Sequence, residues 1–290
     1  MRIPIFALSL TLAAGAAVAQ TTMDQRRPAA PDGLVEIENA AGAIRVIGWN
    51  RNEVAVSGTL GRRASGLEFS GDPHRTRIEV QAEGNPHAVN AELEVHVPAG
   101  SRLEIDSYAA SITITDVTGA VKAETVNGSI SMTGGSKEVN LQTVNGSVEV
   151  TSPANRVHAE SVNGAVTVRD ASGEVNASTV NGRLVVVGGT FQRARLETVS
   201  GSLRFEGDLA KKATLDAETV SGGVEVVLPA GVSADFSVST FSGDIENELG
   251  PAAQKSSRYT SEKSLSFSTG AGGAKVSVQT LSGSIRLRKR

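Results

Sequence analysis

The sequence predicts an all-β protein, a single-chain parallel β-solenoid with about 18–21 residues in each coil. Three observations lead to this prediction. A four-residue motif recurs at near-constant spacing, and apolar residues alternate with polar ones on both sides of it. Aromatic residues make up only 3% of the chain, whereas glycine occurs 31 times. Frequent glycine indicates many turns, and the Val, Ile, Thr and Ser of the repeats suit short strands better than helices.

The repeated motif begins as Thr125-Val126-Asn127-Gly128 and recurs three times at intervals of 18 residues. It then changes to Ser-Gly, with glycine spacings of 19, 21, 21 and 40. Asn and Gly both tolerate positive φ, so we predict a structural turn ladder rather than a row of amides that binds glycan hydroxyls. The ladder consists of Asn127, Gly128, Asn145, Gly146, Asn163, Gly164, Asn181, Gly182, Ser200, Gly201, Ser221, Gly222, Ser242, Gly243, Ser282 and Gly283.

Strands are expected on both sides of each turn. Val121 and Ala123 alternate with charged residues before the first turn, and Ile130 and Met132 alternate with serines after it. A period of two is typical of a half-buried strand. A lone Asn-Gly hairpin buries little surface, whereas stacked copies bury a continuous core, so parallel stacking is favoured over an antiparallel meander. The crossover rule predicts a right-handed β-helix. A left-handed helix of hexapeptides ranks second because its six-residue period is missing.

The domain boundaries follow from changes in composition. We predict a signal peptide at 1–19, a disordered linker at 20–32, an irregular N-terminal β region or cap at 33–105, and solenoid repeats at 106–290 with an insertion at 249–274. Tyr108-Ala109-Ala110 and Ala41-Gly42 are interpreted as decayed copies of the turn. Val97-Pro98-Ala99-Gly100 has a twin at Leu228-Pro229-Ala230-Gly231, which suggests an older duplication.

The N-terminus and the overall charge indicate where the protein acts. Arg2 is followed by an apolar stretch and by the small-residue cleavage signal Ala17-Val18-Ala19, as in secretory signal peptides. We therefore expect an exported protein that is periplasmic, or associated with the outer membrane or cell surface. No later segment is apolar enough to span a membrane. The net charge of −3 argues against nucleic acid as a partner, and the absence of cysteine excludes thiolate chemistry.

The motifs together resemble a bacterial family. Repeated Thr-Val-Asn/Ser-Gly turns, the two Pro-Ala-Gly approaches and Gly48-Trp49-Asn50-Arg51-Asn52-Glu53-Val54 are similar to the β-strand-repeat family of unknown function labelled putative adhesins. The resemblance covers residues 33–288. It implies a parallel β-solenoid at the bacterial envelope, and it supplies no catalytic residues. Ala110, where a turn glycine is expected, and the insertion before Gly283 depart from the family pattern.

The sequence contains only weak candidates for catalytic or metal-binding residues. The recurring Thr or Ser before each turn is expected to form a hydroxyl ladder. We interpret His74, His87, His96 and His158 as surface or loop residues because none has metal-ligand spacing. Acid/base chemistry on polysaccharides needs clustered carboxylates. The aspartates do not recur at coil spacing. They are Asp170, Asp208, Asp216 and Asp244. We therefore predict no catalytic, cofactor-binding or metal residues, and no cofactor.

Two charged features accompany the repeats. The outward position before each Thr reads Glu124, Gln142, Glu160, Ser178, Glu197, Glu218, Ser239 and Gln279. Its first members alternate charged and neutral residues, which relieves repulsion in a stack.

The basic run Arg286-Leu287-Arg288-Lys289-Arg290 either attaches the protein to anionic polymer or lipid, or protects the last open strand. We favour protection of the strand.

The hypothesis that follows is a non-enzymatic, exported cell-envelope protein with a structural or adhesive binding surface. Its partner is unknown, and an envelope polymer or another protein would fit. Two alternatives stay open. One is a self-assembling envelope scaffold built by stacking solenoid ends, and the other is a polysaccharide-degrading β-helix enzyme, which the low aromatic content disfavours.

Overall fold

A computed structural model describes residues 21–61, 63–84, 89–252, 254–255 and 262–290. The described part contains strands, turns and bends, and no helix in it could cross a membrane. The predicted signal peptide lies outside the described residues. The strands in chain order are β1 Thr21–Pro28, β2 Leu34–Trp49, β3 Glu53–Leu60, β4 Ala64–Asp72, β5 Arg75–Ala82, β6 Ala91–Pro98, β7 Arg102–Thr115, β8 Val121–Asn127, β9 Ile130–Thr133, β10 Glu138–Asn145, β11 Val148–Thr151, β12 Arg156–Asn163, β13 Val166–Arg169, β14 Gly173–Asn181, β15 Leu184–Ser200, β16 Leu203–Ser221, β17 Val224–Leu228, β18 Ala234–Ser242, β19 Ile245–Asn247, β20 Gln254–Lys255, β21 Lys263–Thr269, β22 Ala274–Ser282 and β23 Ile285–Lys289.

Equivalent strands of successive repeats pair in parallel and in register. Leu141 of β10 lies opposite Ala123 of β8 on one side and Ala159 of β12 on the other. After the turn, Val148 of β11 likewise lies between Ile130 and Val166. The protein therefore contains two parallel ladders, one of strands before the turns and one of strands after them. Because residues pair 18 apart, each repeat adds one rung to both ladders.

One continuous aliphatic core runs along the stack. The inward residues of both ladders are almost completely buried, and they belong to a single cluster of packed side chains. The aromatic pair Phe191 and Phe205 enters this core where the repeats lengthen, with ring centroids 5.3 Å apart. Burial of apolar surface at about 25 cal/mol per Å² is the main stabilising contribution that the composition allows, since there are no disulfides.

The N-terminal region is more regular than the sequence suggests. Strand β2 pairs in parallel with β7, so Ala41 lies opposite Ala109 and Gly42 opposite Ala110. Both decayed turns therefore occupy rungs of the stack. Strands β5 and β6 pair in parallel with β2 and add a further rung. Beyond them, β4 pairs antiparallel with β5, and β3 pairs antiparallel with β6.

The linker expected at 20–32 is largely a strand. Thr21–Pro28 form β1, which pairs antiparallel with β3 over its whole length, from Thr21 opposite Leu60 to Pro28 opposite Glu53. The expectation of disorder was wrong for these residues because it rested on polar composition alone. An open strand edge offers backbone hydrogen bonds to any chain segment that reaches it, whatever the side chains.

The two Pro-Ala-Gly segments mark places where the chain skips one rung. After Val97-Pro98-Ala99-Gly100 the chain continues in β7, but β2 lies between β6 and β7. After Leu228-Pro229-Ala230-Gly231 it continues in β18, and the last coil, β22 and β23, lies between β16–β17 and β18–β19. The skipped rung is filled by an earlier segment at one end and by a later segment at the other.

The basic C-terminus does not protect an open strand, contrary to our prediction. Strand β23 lies inside the stack, between β17 and β19. Its arginines face acidic neighbours across the ladder, with Arg286 3.2 Å from Glu246 and Arg288 3.1 Å from Glu225.

The last strand of the first ladder is β18, which β21 from the predicted insertion covers by antiparallel pairing. Of the four ladder ends in the described residues, three finish in antiparallel strands.

Candidate binding groove

The asparagines of the turn column bond to one another. Each side-chain amide donates to the side-chain oxygen of the preceding rung, at 2.8 Å from Asn145 to Asn127 and 2.9 Å for both Asn163 to Asn145 and Asn181 to Asn163. Positive φ among described non-glycine residues occurs elsewhere, at Asp116, Asp170 and Lys212. The asparagines are therefore explained by this amide ladder and not by a left-handed backbone. Their amides are already partly engaged, which leaves less capacity for glycan hydroxyls.

The turn glycines are required by close approach of successive rungs. A Cβ placed on Gly146 would lie 2.1 Å from the Gly128 carbonyl oxygen, and one on Gly164 would lie 1.9 Å from that of Gly146. No side chain fits at such distances. Gly128 meets Ala110 in the same way, at 2.1 Å from the alanine oxygen. Ala110 itself is buried and belongs to the core cluster.

The predicted hydroxyl ladder is present in part of the column. Thr143, Ser161 and Thr179 each donate to the glycine carbonyl of the previous rung at 2.8 Å. The hydroxyls of Thr198, Thr219 and Thr280 are buried without a hydrogen-bond partner among the described residues. These three precede Ser-Gly turns whose glycines, Gly201, Gly222 and Gly283, have positive φ.

An exposed apolar column follows the Thr column. It consists of the residue between each Thr or Ser and the Asn or Ser of the turn. All large apolar side chains with high exposure in the described residues belong to it, with exposed fractions from 37% for Val126 to 57% for Phe241. They are Tyr108, Val126, Val144, Val180, Val199, Val220, Phe241 and Leu281. Exposed apolar residues that form a contiguous patch usually mark an interaction site.

Sequence reasoning missed this column, although a signal for it was present. The predicted turn ladder explains the Asn, Ser and Gly of the motif and assigns no role to its second residue. Strand alternation places the residue after a buried Thr on the outer surface. An apolar residue at an outward position in every repeat contradicts the expected polar surface. That contradiction was visible in the sequence.

A shallow groove lies beside the apolar column. Its floor and one wall are formed by the Thr and apolar columns, and the other wall is the outward column that begins with Glu38, Asp106 and Glu124. One section has a cavity volume of about 600 Å³, and the next has about 670 Å³. The two sections share Glu160, so the groove is continuous along the stack.

Negative charge accumulates along the groove. Burial raises the pKa of the Asp106 carboxyl, and the neighbouring Glu124 carboxylate raises it further. Further along the stack, Glu197 lies directly opposite Glu218. The alternation of charged and neutral residues that relieves repulsion therefore fails at these positions.

The comparison with known families identifies the fold. The model of the Toastrack DUF4097 family matches residues 89–288. This chain belongs to the Toastrack family. The resemblance inferred from the repeats is thereby confirmed. No curated protein shows significant similarity to the Toastrack chain.

Solved structures similar to the Toastrack chain share little sequence with it. A putative adhesin from Parabacteroides distasonis has 9% identity and a TM-score of 0.47, with 92% of this chain and 97% of the other covered. A putative lipid binding protein from the same organism has 10% identity and a TM-score of 0.37, covering 92% and 96%. A putative cell adhesion protein from Clostridium sporogenes has 10% identity and a TM-score of 0.25, covering 93% and 100%.

The histidines of the Toastrack chain are placed separately. His96 stacks on Trp49 with ring centroids 4.9 Å apart and lies 3.0 Å from Glu94, while His158 lies 3.6 Å from Glu160. His87 lies outside the described residues. Within the described part of the chain, no three His, Asp or Glu side chains are grouped as a metal site requires.

The four aspartates considered for catalysis are not brought together. Asp208 pairs with Arg290, and Asp244 pairs with Lys263, which lowers the pKa of the Asp244 carboxyl. Asp170 occupies a positive-φ position after β13, and Asp216 lies on β16. These four aspartates therefore do not supply the carboxylate pair that glycoside hydrolysis uses.

Proposed function

We propose that this Toastrack protein is an exported, non-enzymatic binding protein of the cell envelope, and that the groove is its binding surface. The observation that carries the proposal is that, among the residues the structure describes, the large apolar side chains with high exposure all lie in one column. Scattered apolar residues are ordinary on a protein surface, but a continuous row is costly to leave in water. A partner that covers the row recovers that free energy.

Rigidity supports the same function. The column is built on parallel ladders whose buried residues form one core, and its members are held at a regular spacing of about 4.8 Å. A pre-formed surface loses little conformational entropy when it binds. Asp208 and Asp244, two of the aspartates considered for hydrolysis, are each held in an ion pair, which is a structural role and not a hydrolytic one.

The first test measures retention of the purified chain by native envelope fractions. Replacing Val199 and Val220 with Ser in one variant removes two of the most exposed apolar side chains without touching the core. We expect the variant to be retained about tenfold less, since burying the exposed part of each of the two valines contributes roughly 0.7 kcal/mol. The matched control replaces the adjacent Ser200 and Ser221 with Ala, which lie outside the groove lining. Equal retention of both variants would contradict the proposal.

The second test concerns export. Expression of the full chain in a Gram-negative host should yield a processed protein in the periplasmic or outer-membrane fraction, with its N-terminus at Gln20. Deleting residues 2–19 should leave the protein in the cytoplasm. An unprocessed chain in the cytoplasm of both strains would refute export.

A further inference from the structure

The groove lining carries charge of one sign. The residues that line its two sections include eight carboxylates and no Lys, Arg or His among the described residues. The carboxylates are Glu38, Glu79, Asp106, Glu124, Glu160, Glu197, Glu218 and Glu262. Outside the lining, Arg77 pairs with Glu38 and Glu79, Lys122 with Glu124, and Arg195 with Glu197. Three cations against eight carboxylates leave a surplus of negative charge along the groove.

The groove runs across the strands, not along a free strand edge. Each rung contributes one apolar residue, such as Val126, Val144 and Val162, and the residues on both sides of it are paired with the neighbouring rungs. Strand addition, which requires unpaired backbone groups, is therefore not available here. A partner must be recognised by its side chains, through apolar contacts with the column and charged contacts with the acidic wall.

The spacing between rungs determines which secondary structure of a polypeptide partner can match the apolar column. Rungs repeat every 4.8 Å or so, and an α-helix presents one stripe residue per turn of about 5.4 Å. The misfit of about 0.6 Å per rung reaches half a rung only after about four rungs in each direction from the centre. An extended strand presents side chains on one face about every 6.7 Å, so it loses register after about one rung.

We propose that the groove binds an amphipathic α-helix whose apolar stripe is flanked by Lys and Arg. The inference rests on the proposed function, since it names the partner of the same groove. The apolar stripe covers the exposed column, and the cationic flank lies against the acidic wall. This is helix-in-groove recognition with charge complementarity, which sets specificity and speeds association.

Other occupants fit the groove less well. Anionic lipid would be repelled by the carboxylates. A second copy docked groove to groove by two-fold symmetry would place the acidic wall either against the other acidic wall or against the apolar column, depending on the direction of the axis. In the described part of the chain, a glycan would find exposed aromatic rings of the column only at Tyr108 and Phe241, near its opposite ends, and not along its length.

The test uses synthetic peptides of about 18 residues, which span about 27 Å as helices. The probe is a Leu/Lys peptide with one apolar stripe. Its controls are the Leu/Glu peptide of the same pattern and a Leu/Lys peptide of the same composition with the stripe destroyed by permutation. Binding to the full chain is followed by fluorescence anisotropy. We expect only the probe to bind, with an affinity that falls as salt rises.

Two groove variants and one control complete the design. The Val199→Ser/Val220→Ser variant should weaken probe binding about tenfold, as should Glu197→Gln/Glu218→Gln, the latter with a smaller salt dependence. The Ser200→Ala/Ser221→Ala variant should bind like the original chain. Unchanged far-UV circular dichroism establishes that each variant is folded.

The outcomes separate this inference from the proposed function. Binding of the Leu/Glu or permuted peptide, or probe binding that is insensitive to both groove variants, overturns the helix inference. If the probe fails to bind while envelope retention still depends on Val199 and Val220, the occupant is wrong and the binding groove stands. If envelope retention is also insensitive to those residues, the proposed function fails.

Discussion

At the scale of the residue, each of the four positions of the turn motif has a different role. The buried Thr or Ser ties one rung to the glycine carbonyl of the previous rung, and the Asn amides bond along the stack. Glycine permits the close approach of backbones. The remaining residue, apolar and exposed, makes no comparable contribution to the stack, and this is the position that we assign to binding.

The Thr column offers a matched pair of substitutions. Thr143 and Thr198 are each 4% exposed, but only Thr143 donates to a glycine carbonyl. We expect Thr143→Val to lower the free energy of unfolding by about 1 kcal/mol, because it leaves the Gly128 oxygen without its donor. Thr198→Val should be neutral or stabilising, since it removes a hydroxyl that has no partner. Urea denaturation of both variants tests this, and equal losses would contradict it.

At the scale of the element, every parallel strand pair depends on register. Leu141, Ala123 and Ala159 face one another because the repeats keep the same length. Where a repeat is longer, the extra residues leave the ladder as bulges, as between Phe191 and Arg193. A one-residue slip would exchange core and surface positions, so the bulges preserve the alternation.

Glycine substitution tests how tightly the rungs stack. Gly164→Ala would place Cβ 1.9 Å from the Gly146 oxygen, so β12 and β13 must shift against their neighbours. We expect a loss of about 1–3 kcal/mol, the usual cost of overpacking. Gly231→Ala is the control, because nothing lies within 4 Å of the added Cβ. Thermal unfolding of the two variants should differ clearly, and a similar melting temperature for both would show that the stack yields more than the geometry implies.

At the scale of the whole molecule, spatial order departs from chain order at both ends. Strand β2 fills the rung skipped before β7, and β22 with β23 fills the rung skipped before β18. Antiparallel strands then cover three of the four ladder ends in the described residues. Covered ends oppose unlimited end-to-end stacking, which weakens the scaffold alternative.

Removal of the last coil, β22 and β23, tests how much its position between the two neighbouring coils contributes to stability. Deleting residues 274–290 exposes the paired edges of β16–β17 and of β18–β19 at once. We expect a lower melting temperature and concentration-dependent oligomers, because open parallel edges template pairing with other chains. Arg286→Gln/Arg288→Gln is the control, since it removes two exposed ion pairs but keeps the strand. A truncated chain that stays monomeric and equally stable would show that β18 closes directly onto β16.

Much of the candidate site was already implied by the sequence. The Thr and Asn columns, their 18-residue spacing and the outward acidic positions are periodic in the chain, and parallel in-register pairing carries that periodicity into space. The groove was not inferred, because concavity depends on how the corner between the two ladders bends. That bend is a property of packed coils, not of any one repeat.

The sequence alone determined the strands, the turns, the parallel register and the aliphatic interior, since each follows from local alternation repeated at constant length. Only the tertiary structure decided which coil lies beside which, and it placed the basic C-terminus inside the stack and β1 on the edge of β3. The physical reason is that all rungs present nearly the same apolar interior and the same backbone hydrogen-bonding groups. Side-chain patterning therefore cannot distinguish one open edge from another, and chain connectivity and packing make the choice.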